Sequence, residues 1–211
     1  MRKTVLLLIA CLSLAIVGNA QTKRTAKPVR KAKTTTPVKE PLAPPSANGK
    51  FQLKDIGGFY NATDGNKYVI ITAPGKSVSE IKSSVMSSLS SMYSNPNRVI
   101  STLGDNIINV NGYAQDAFAK PFAGNTQYFS FTYNIKIEIK DGKIKVDSPN
   151  FSSITRKEVC RGYTIDTRYV EDYSMLGDLE LCDKVQQQNV AAIFNAHIDK
   201  IVAGLSSNSD W

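Results

Sequence analysis

Between residues 129 and 139 apolar and polar side chains alternate without a break. Phe129, Phe131, Tyr133, Ile135, Ile137 and Ile139 fall on one side, and Ser130, Thr132, Asn134, Lys136 and Glu138 on the other. Period two over this length predicts a strand with one buried and one wet face. Asp141-Gly142 then turns the chain into residues 143–147, where Ile144 and Val146 continue the apolar side. Upstream, Asp64-Gly65 between residues 58–62 and 67–72 predicts a hairpin, and the β-branched run Tyr68 to Ile71 reads as a central strand. The period changes at Ser77. Ser77 and Glu80 have the spacing of a capping box, and Val78, Ile81, Val85, Leu89 and Met92 follow at steps of three and four, which predicts a helix ended by Asn95-Pro96. Its opposite face is mostly serine (Ser79, Ser83, Ser87, Ser90, Ser94), read as solvated.

Residues 98–103, a Gly104-Asp105-Asn106 turn and residues 107–113 predict two short strands. Residues 116–126, with Lys120-Pro121 and Gly124-Asn125, read as a loop. A last helix is expected over 184–205, with Val190, Ile193, Phe194, His197, Ile198, Ile201, Val202 and Leu205 as its apolar stripe. Together these elements predict an α+β fold: an antiparallel β-sheet with two helices on one face.

This order resembles a family of exported bacterial domains of unknown function whose fold is like that of the TATA-box-binding protein. The resemblance is carried by Tyr68 to Thr72 leading through Pro74-Gly75-Lys76-Ser77 into the helix, and by Tyr133 to Ile139 closing through Asp141-Gly142-Lys143. It covers roughly residues 67–150, and that fold requires the terminal helix that follows. It implies no activity, because the family has no assigned function and no catalytic residues to carry over. It does not imply DNA binding either, since fold alone does not carry function.

The N-terminus bears on compartment. Arg2 and Lys3, an apolar run from Val5 to Val17 and then Gly18-Asn19-Ala20 predict a signal peptide over residues 1–20, cut between Ala20 and Gln21, and hence a periplasmic or secreted protein. Lipidation at Cys11 is the competing reading. It would leave only Val5 to Ala10 as the apolar region, short of the roughly 7 to 15 residues such a region needs. The run is also shorter than the roughly 17 to 25 residues that span a bilayer.

The net charge of +8 is unevenly placed. Residues 21–50 hold eight cations and one acid, whereas residues 51–211 hold 16 cations and 17 acids, a net of −1. Residues 21–50, with five prolines and almost nothing large and apolar, read as a stiff, solvated linker whose charge could give weak contact with anionic envelope surfaces. Residues 51–211 are sized for a single domain. Its neutrality argues against a nucleic-acid partner, which would call for a basic stripe on the folded surface.

Candidate chemistry is sparse. Gly75-Lys76-Ser77 sits between strand and helix like a phosphate loop, but the glycine required five positions before Gly75 is Ile70. His197, the one histidine, falls on an apolar helix stripe and reads as a core residue, which removes a Ser-His-Asp triad or a histidine-rich metal site. No cofactor or metal is expected. In an oxidising compartment Cys160 and Cys182 read as a disulfide, or else as two unpaired buried thiols; a bond closing that loop would stabilise by on the order of 3 kcal/mol. Between them Tyr163, Tyr169 and Tyr173 with Arg161 and Arg168 form a loop of residue types enriched at interfaces, so Tyr163, Arg168, Tyr169 and Tyr173 are the candidate partner-binding residues. The plainer reading is that these tyrosines cover the sheet. The chain therefore reads as a non-catalytic binding or structural protein that contacts an envelope protein or polymer. The alternative is a hydrolase of envelope or glycan substrates using carboxylates such as Glu171, Asp172, Asp178 and Glu180.

Overall fold

A computed structural model describes residues 42–54, 58–170 and 184–207, which fall within one folded unit, Glu40–Trp211. In chain order the strands are β1 (Ser46–Ala47), β2 (Phe51–Lys54), β3 (Gly58–Asn61), β4 (Tyr68–Thr72), β5 (Ile100–Leu103), β6 (Ile107–Phe122), β7 (Asn125–Lys140), β8 (Lys143–Asp147), β9 (Asn150–Cys160) and β10 (Tyr163–Val170). The helices are α1 (Val78–Ser90), the single turn α2 (Pro96–Val99) and α3 (Lys184–Ser207). Every strand pair is antiparallel, and the main sheet runs β1-β4-β8-β7-β6-β5. The expected leader with its expected cut between Ala20 and Gln21, Cys11 and most of the expected linker lie outside the described residues.

β7 is the spine, and the sheet forks on it. One edge pairs with β6 from Ile107↔Glu138 to Phe122↔Asn125. The other edge is shared: β8 takes Ile137 to Lys140, and β9 takes Thr126 to Asn134. The fork divides the molecule into a body, where β4, β5 and β8 flank β6 and β7, and an arm, where the far halves of β6 and β7 continue with β9 and β10.

The alternation of β7 becomes burial. Phe129, Phe131, Tyr133, Ile135, Ile137 and Ile139 are all buried, joined by Val69 and Ile71 from β4 and Ile144 and Val146 from β8. Ile81, Val85 and Leu89 of α1 and Val190, Phe194, Ile198, Ile201 and Leu205 of α3 complete the core. The capping box forms as the spacing predicts: the Glu80 amide donates to Ser77 Oγ at 3.4 Å, and Glu80 accepts from the Ser77 amide at 2.8 Å. α1 and α3 approach closely at Gly204, where a Cβ would stand 1.8 Å from Ser88 Oγ. Ser84 and Ser88 are buried at this crossing, while Ser79, Ser83, Ser87 and Ser94 are exposed.

Three local expectations change. The Asp64-Gly65 turn forms, with the Asn61 amide on Asn66 O and the Gly65 amide on Asn61 O, both at 2.8 Å, but the strands beside it part. β3 pairs with β2 in a separate two-stranded sheet, because both edges of β4 are taken by β1 and β8. Residues 46–50, assigned by composition to the linker, run along the sheet edge: Ser46 pairs with Thr72, and the Asn48 side chain accepts from the Ile70 amide at 2.8 Å. Residues 116–126 are no loop. They are the end of β6, a two-residue turn and the start of β7. Beyond Val110 the outer edge of β6 has lost β5, so Pro121 sits in an edge strand, where its missing N–H costs no ladder bond.

Candidate functional site

The expected loop between the cysteines is instead the β9–β10 hairpin as far as Val170, paired from Tyr163↔Cys160 to Val170↔Ile154. Both turns at the end of the arm have two residues, each with positive φ: Ala123 (47°) and Gly124 (80°), and Arg161 (48°) and Gly162 (86°). That geometry matches the right-handed twist of the flanking strands, so the strands run unsplayed to their tips. Phe122 pairs with Asn125, Thr126 with Val159, and Cys160 with Tyr163. Carried one residue further, this register lays Phe122, Asn125, Cys160 and Tyr163 in one row across the end of the arm, on the helix-side face. Two rings in that row are exposed to solvent, Tyr163 at 78 % and Phe122 at 52 %.

A bulge and a latch stiffen the arm behind this row. Between Ala114 and Phe118 β6 carries extra residues opposite Ser130, and Asp116 turns through φ 47°. The Asp116 amide donates to the buried Ser130 hydroxyl at 2.9 Å, and its carboxylate accepts from Lys157 Nζ at 2.9 Å. Lys157 also lies over the Tyr128 ring, 5.1 Å from its centroid. Charge and ring contacts therefore tie β6 to β9 across β7 on the wet face. Nearer the tip, Asn125 Nδ2 donates to Glu158 at 2.6 Å. Gln186 of α3 donates to Ala119 O at 2.6 Å, so the first described turn of that helix meets the arm just before Lys120.

The candidate residues named from sequence are placed unequally. Tyr163 opens β10 and is exposed. Arg168 and Tyr169 follow in the same strand, their backbones opposite Arg156 and Thr155. Tyr173 lies outside the described residues. Cys160 is half-buried and a free thiol among the described residues, and its expected partner Cys182 lies outside them. The four carboxylates of the hydrolase reading, Glu171, Asp172, Asp178 and Glu180, also lie outside. Phe122 was missed. Its signal was hidden by Pro121 before it and by Ala123-Gly124, a weaker turn pair than Asn-Gly.

His197 is sealed in the core. Nδ1 faces Ile193 O at 2.9 Å and, since a carbonyl only accepts, carries the proton. Nε2 then accepts from Tyr93 Oη at 2.5 Å, and Tyr93 Oη in turn accepts from Tyr133 Oη at 3.2 Å. Burial pushes the imidazole below its ordinary pKa and both phenols above theirs. The chain of bonds joins α3, through His197, to Tyr93 in the turn after α1 and to Tyr133 of β7. Gly75 adopts φ 78° in the turn before α1, and Ser77 is occupied as a helix cap.

A groove of about 1040 Å³ lies between β2 and α3. Its floor is apolar, from Phe51, Leu53, Ala191 and Ala192, and its rim is Lys50, Gln187, Gln188 and Asp199. Asp199, the one acid on that lining, is paired with Lys50 at 2.7 Å. Among the described residues no three His, Cys, Asp or Glu side chains converge in a metal-binding cluster, and no helix is long and apolar enough to cross a membrane. No family model matches the chain, and no curated protein matches it.

Proposed function

We propose that this is an exported, non-catalytic protein of the bacterial cell envelope that works by contact, with the end of the arm as its recognition surface. The observation that carries this reading is the row at the tip: two turns of matched geometry hold Phe122 and Tyr163 in solvent on one face, ordered before any partner arrives. Preorganised aromatic side chains contribute contact area at low entropic cost. The leader read over residues 1–20 supports export. The strand order β4-β8-β7-β6-β5, with α1 directly after β4 and α3 after the β9–β10 hairpin, supports membership of the exported family with a fold like that of the TATA-box-binding protein.

The test is crosslinking in intact periplasm, comparing the wild type with Phe122→Ser/Tyr163→Ser. The expected result is a crosslinked species in the wild type that the double variant lacks. Identical crosslinking by both forms overturns the arm as the contact surface. Turnover of a glycan or wall substrate, abolished by a single carboxylate substitution, overturns the non-catalytic reading.

A further inference from the structure

We infer that α3 and the β2–β3 hairpin form one unit that lifts from the main sheet in acid, with the His197–Tyr93–Tyr133 chain as the clasp that a proton releases. The hairpin is bonded to the helix. β2 and β3 pair with each other, outside the ladder of the main sheet. Asn195 of α3 accepts from the Phe51 amide at 2.7 Å and donates to the Phe51 carbonyl at 2.9 Å. Lys50 reaches Asp199 at 2.7 Å, and Phe59 meets Phe194 edge-on with ring centroids 4.8 Å apart. His197 stands midway between Asn195 and Asp199 in sequence, about 200° round the helix from each. One helix therefore holds the hairpin on one side and is fastened to β7 and to the turn after α1 on the other.

The clasp fails on protonation because its bonds run in one direction. Tyr133 donates to Tyr93, Tyr93 donates to Nε2, and Nδ1 donates to Ile193 O. A proton on Nε2 forces Tyr93 Oη to accept, turns the Tyr93 hydrogen towards Tyr133 Oη, and takes from the Tyr133 hydrogen the acceptor it had. A buried donor left without an acceptor and a buried charge left without a counter-ion both oppose the closed state. The groups around the ring supply no counter-ion. α3 brings Ile193 and Phe194, the turn after α1 brings Tyr93, β7 brings Tyr133, and β6 backs that ring with Gly112, all uncharged. Asp199 and Lys200 are exposed, and Asp199 is engaged by Lys50. The Tyr133 ring has little room to turn, since a Cβ on Gly112 would stand 2.3 Å from its Oη. Burial holds the imidazole below its ordinary pKa of 6.5, so the proton is taken up from the lifted state, where water reaches the ring.

The experiment is native-state hydrogen exchange on the full chain in graded urea between pH 5 and 7.5, with opening constants corrected for intrinsic exchange. Amides over residues 51–54 and 190–205 are expected to share one opening constant. It should exceed that of residues 135–146, depend less on urea, and rise by up to about tenfold per pH unit below 6.5. His197→Gln, whose amide can accept from Tyr93 but takes up no proton, should abolish the rise. As a readout that needs no variant, the ring signal of the one histidine should titrate below 6.5 by NMR. Four results overturn the inference: residues 51–54 and 190–205 open only together with 135–146, the hairpin and the helix open separately, His197→Gln keeps the rise in acid, or the ring titrates at 6.5 or above. Three of the four are read on the wild type and decide the matter even where His197→Gln fails to fold.

Discussion

One strand runs through two unlike regions. In the body, Ile135, Ile137 and Ile139 of β7 lie beneath α1 and α3 and are sealed from solvent. In the arm, the same face of the same strand reads Asn125, Gln127 and Phe129, and Gln127 Nε2 is buried with no hydrogen-bond partner. The difference teaches where stability resides. The body is a closed apolar core in which each element removes the others from water. The arm is a ladder of main-chain bonds stiffened by ion pairs; it buries one stacked pair, Phe118 and Phe129, with centroids 4.6 Å apart, and leaves Phe122 and Tyr163 in solvent. Such a division suits a scaffold that holds a contact surface at a distance from the core.

The comparison breaks first at the centre of the body. Phe194 packs against Phe59, Phe131, Tyr133 and Phe151, with ring centroids 4.8 to 6.1 Å away. Phe194→Ala is expected to cost about 3–5 kcal/mol in urea unfolding, because the surrounding rings cannot close the void. Next comes the helix crossing. Gly204→Ala would favour helix, yet its Cβ would stand 1.8 Å from Ser88 Oγ, so a net loss of about 1–3 kcal/mol is expected. Adding Ser88→Ala should restore part of it, since Ser88 Cβ itself lies 3.1 Å away.

The pH dependence of the body sharpens the contrast further. The folded His197 has a lowered pKa through burial, while the unfolded chain takes up its proton near 6.5. Below that pH the unfolded state binds more protons, so stability is full above 6.5 and falls as pH drops, by up to about 1.4 kcal/mol per pH unit. Tyr93, Tyr133 and Ile193 O, the groups bonded along this chain, carry no charge to offset it. Urea midpoints between pH 5 and 7.5 should show this slope, and His197→Gln should flatten it. The smallest effect belongs to the arm: Phe122→Ser/Tyr163→Ser should change global stability by within about 0.5 kcal/mol per site, since neither ring is buried. A loss comparable to that of Phe194→Ala would erase the distinction between the regions.

Legibility in the sequence follows the same division. β7, β8, α1 and α3 could be read in advance because each buries one face, and burial on one face imposes a period on the chain. β9 could not. Residues 155–160 are half-buried throughout, so Thr155, Arg156, Lys157 and Glu158 carry no alternation to detect. The Asp64-Gly65 turn was legible, but its strands were misassigned, because a turn fixes the chain reversal while competition for the edges of β4 decides who pairs. Tyr163 was found from its neighbours Arg161 and Cys160. Phe122 became visible only once the register placed it in the same row, a long-range fact that local spacing does not contain.

The bond between Asn195 and β2 carries a consequence for how the molecule is made. The Asn195 amide accepts from the Phe51 N–H at 2.7 Å and donates to the Phe51 carbonyl at 2.9 Å, across 144 positions of sequence. One side chain of the final helix thus does the work of a neighbouring strand for the first hairpin. During synthesis that hairpin emerges before the side chain that completes its edge, which follows 144 positions later. Closure across so great a span is slow by nature. Docking of β2 is therefore expected to wait for α3.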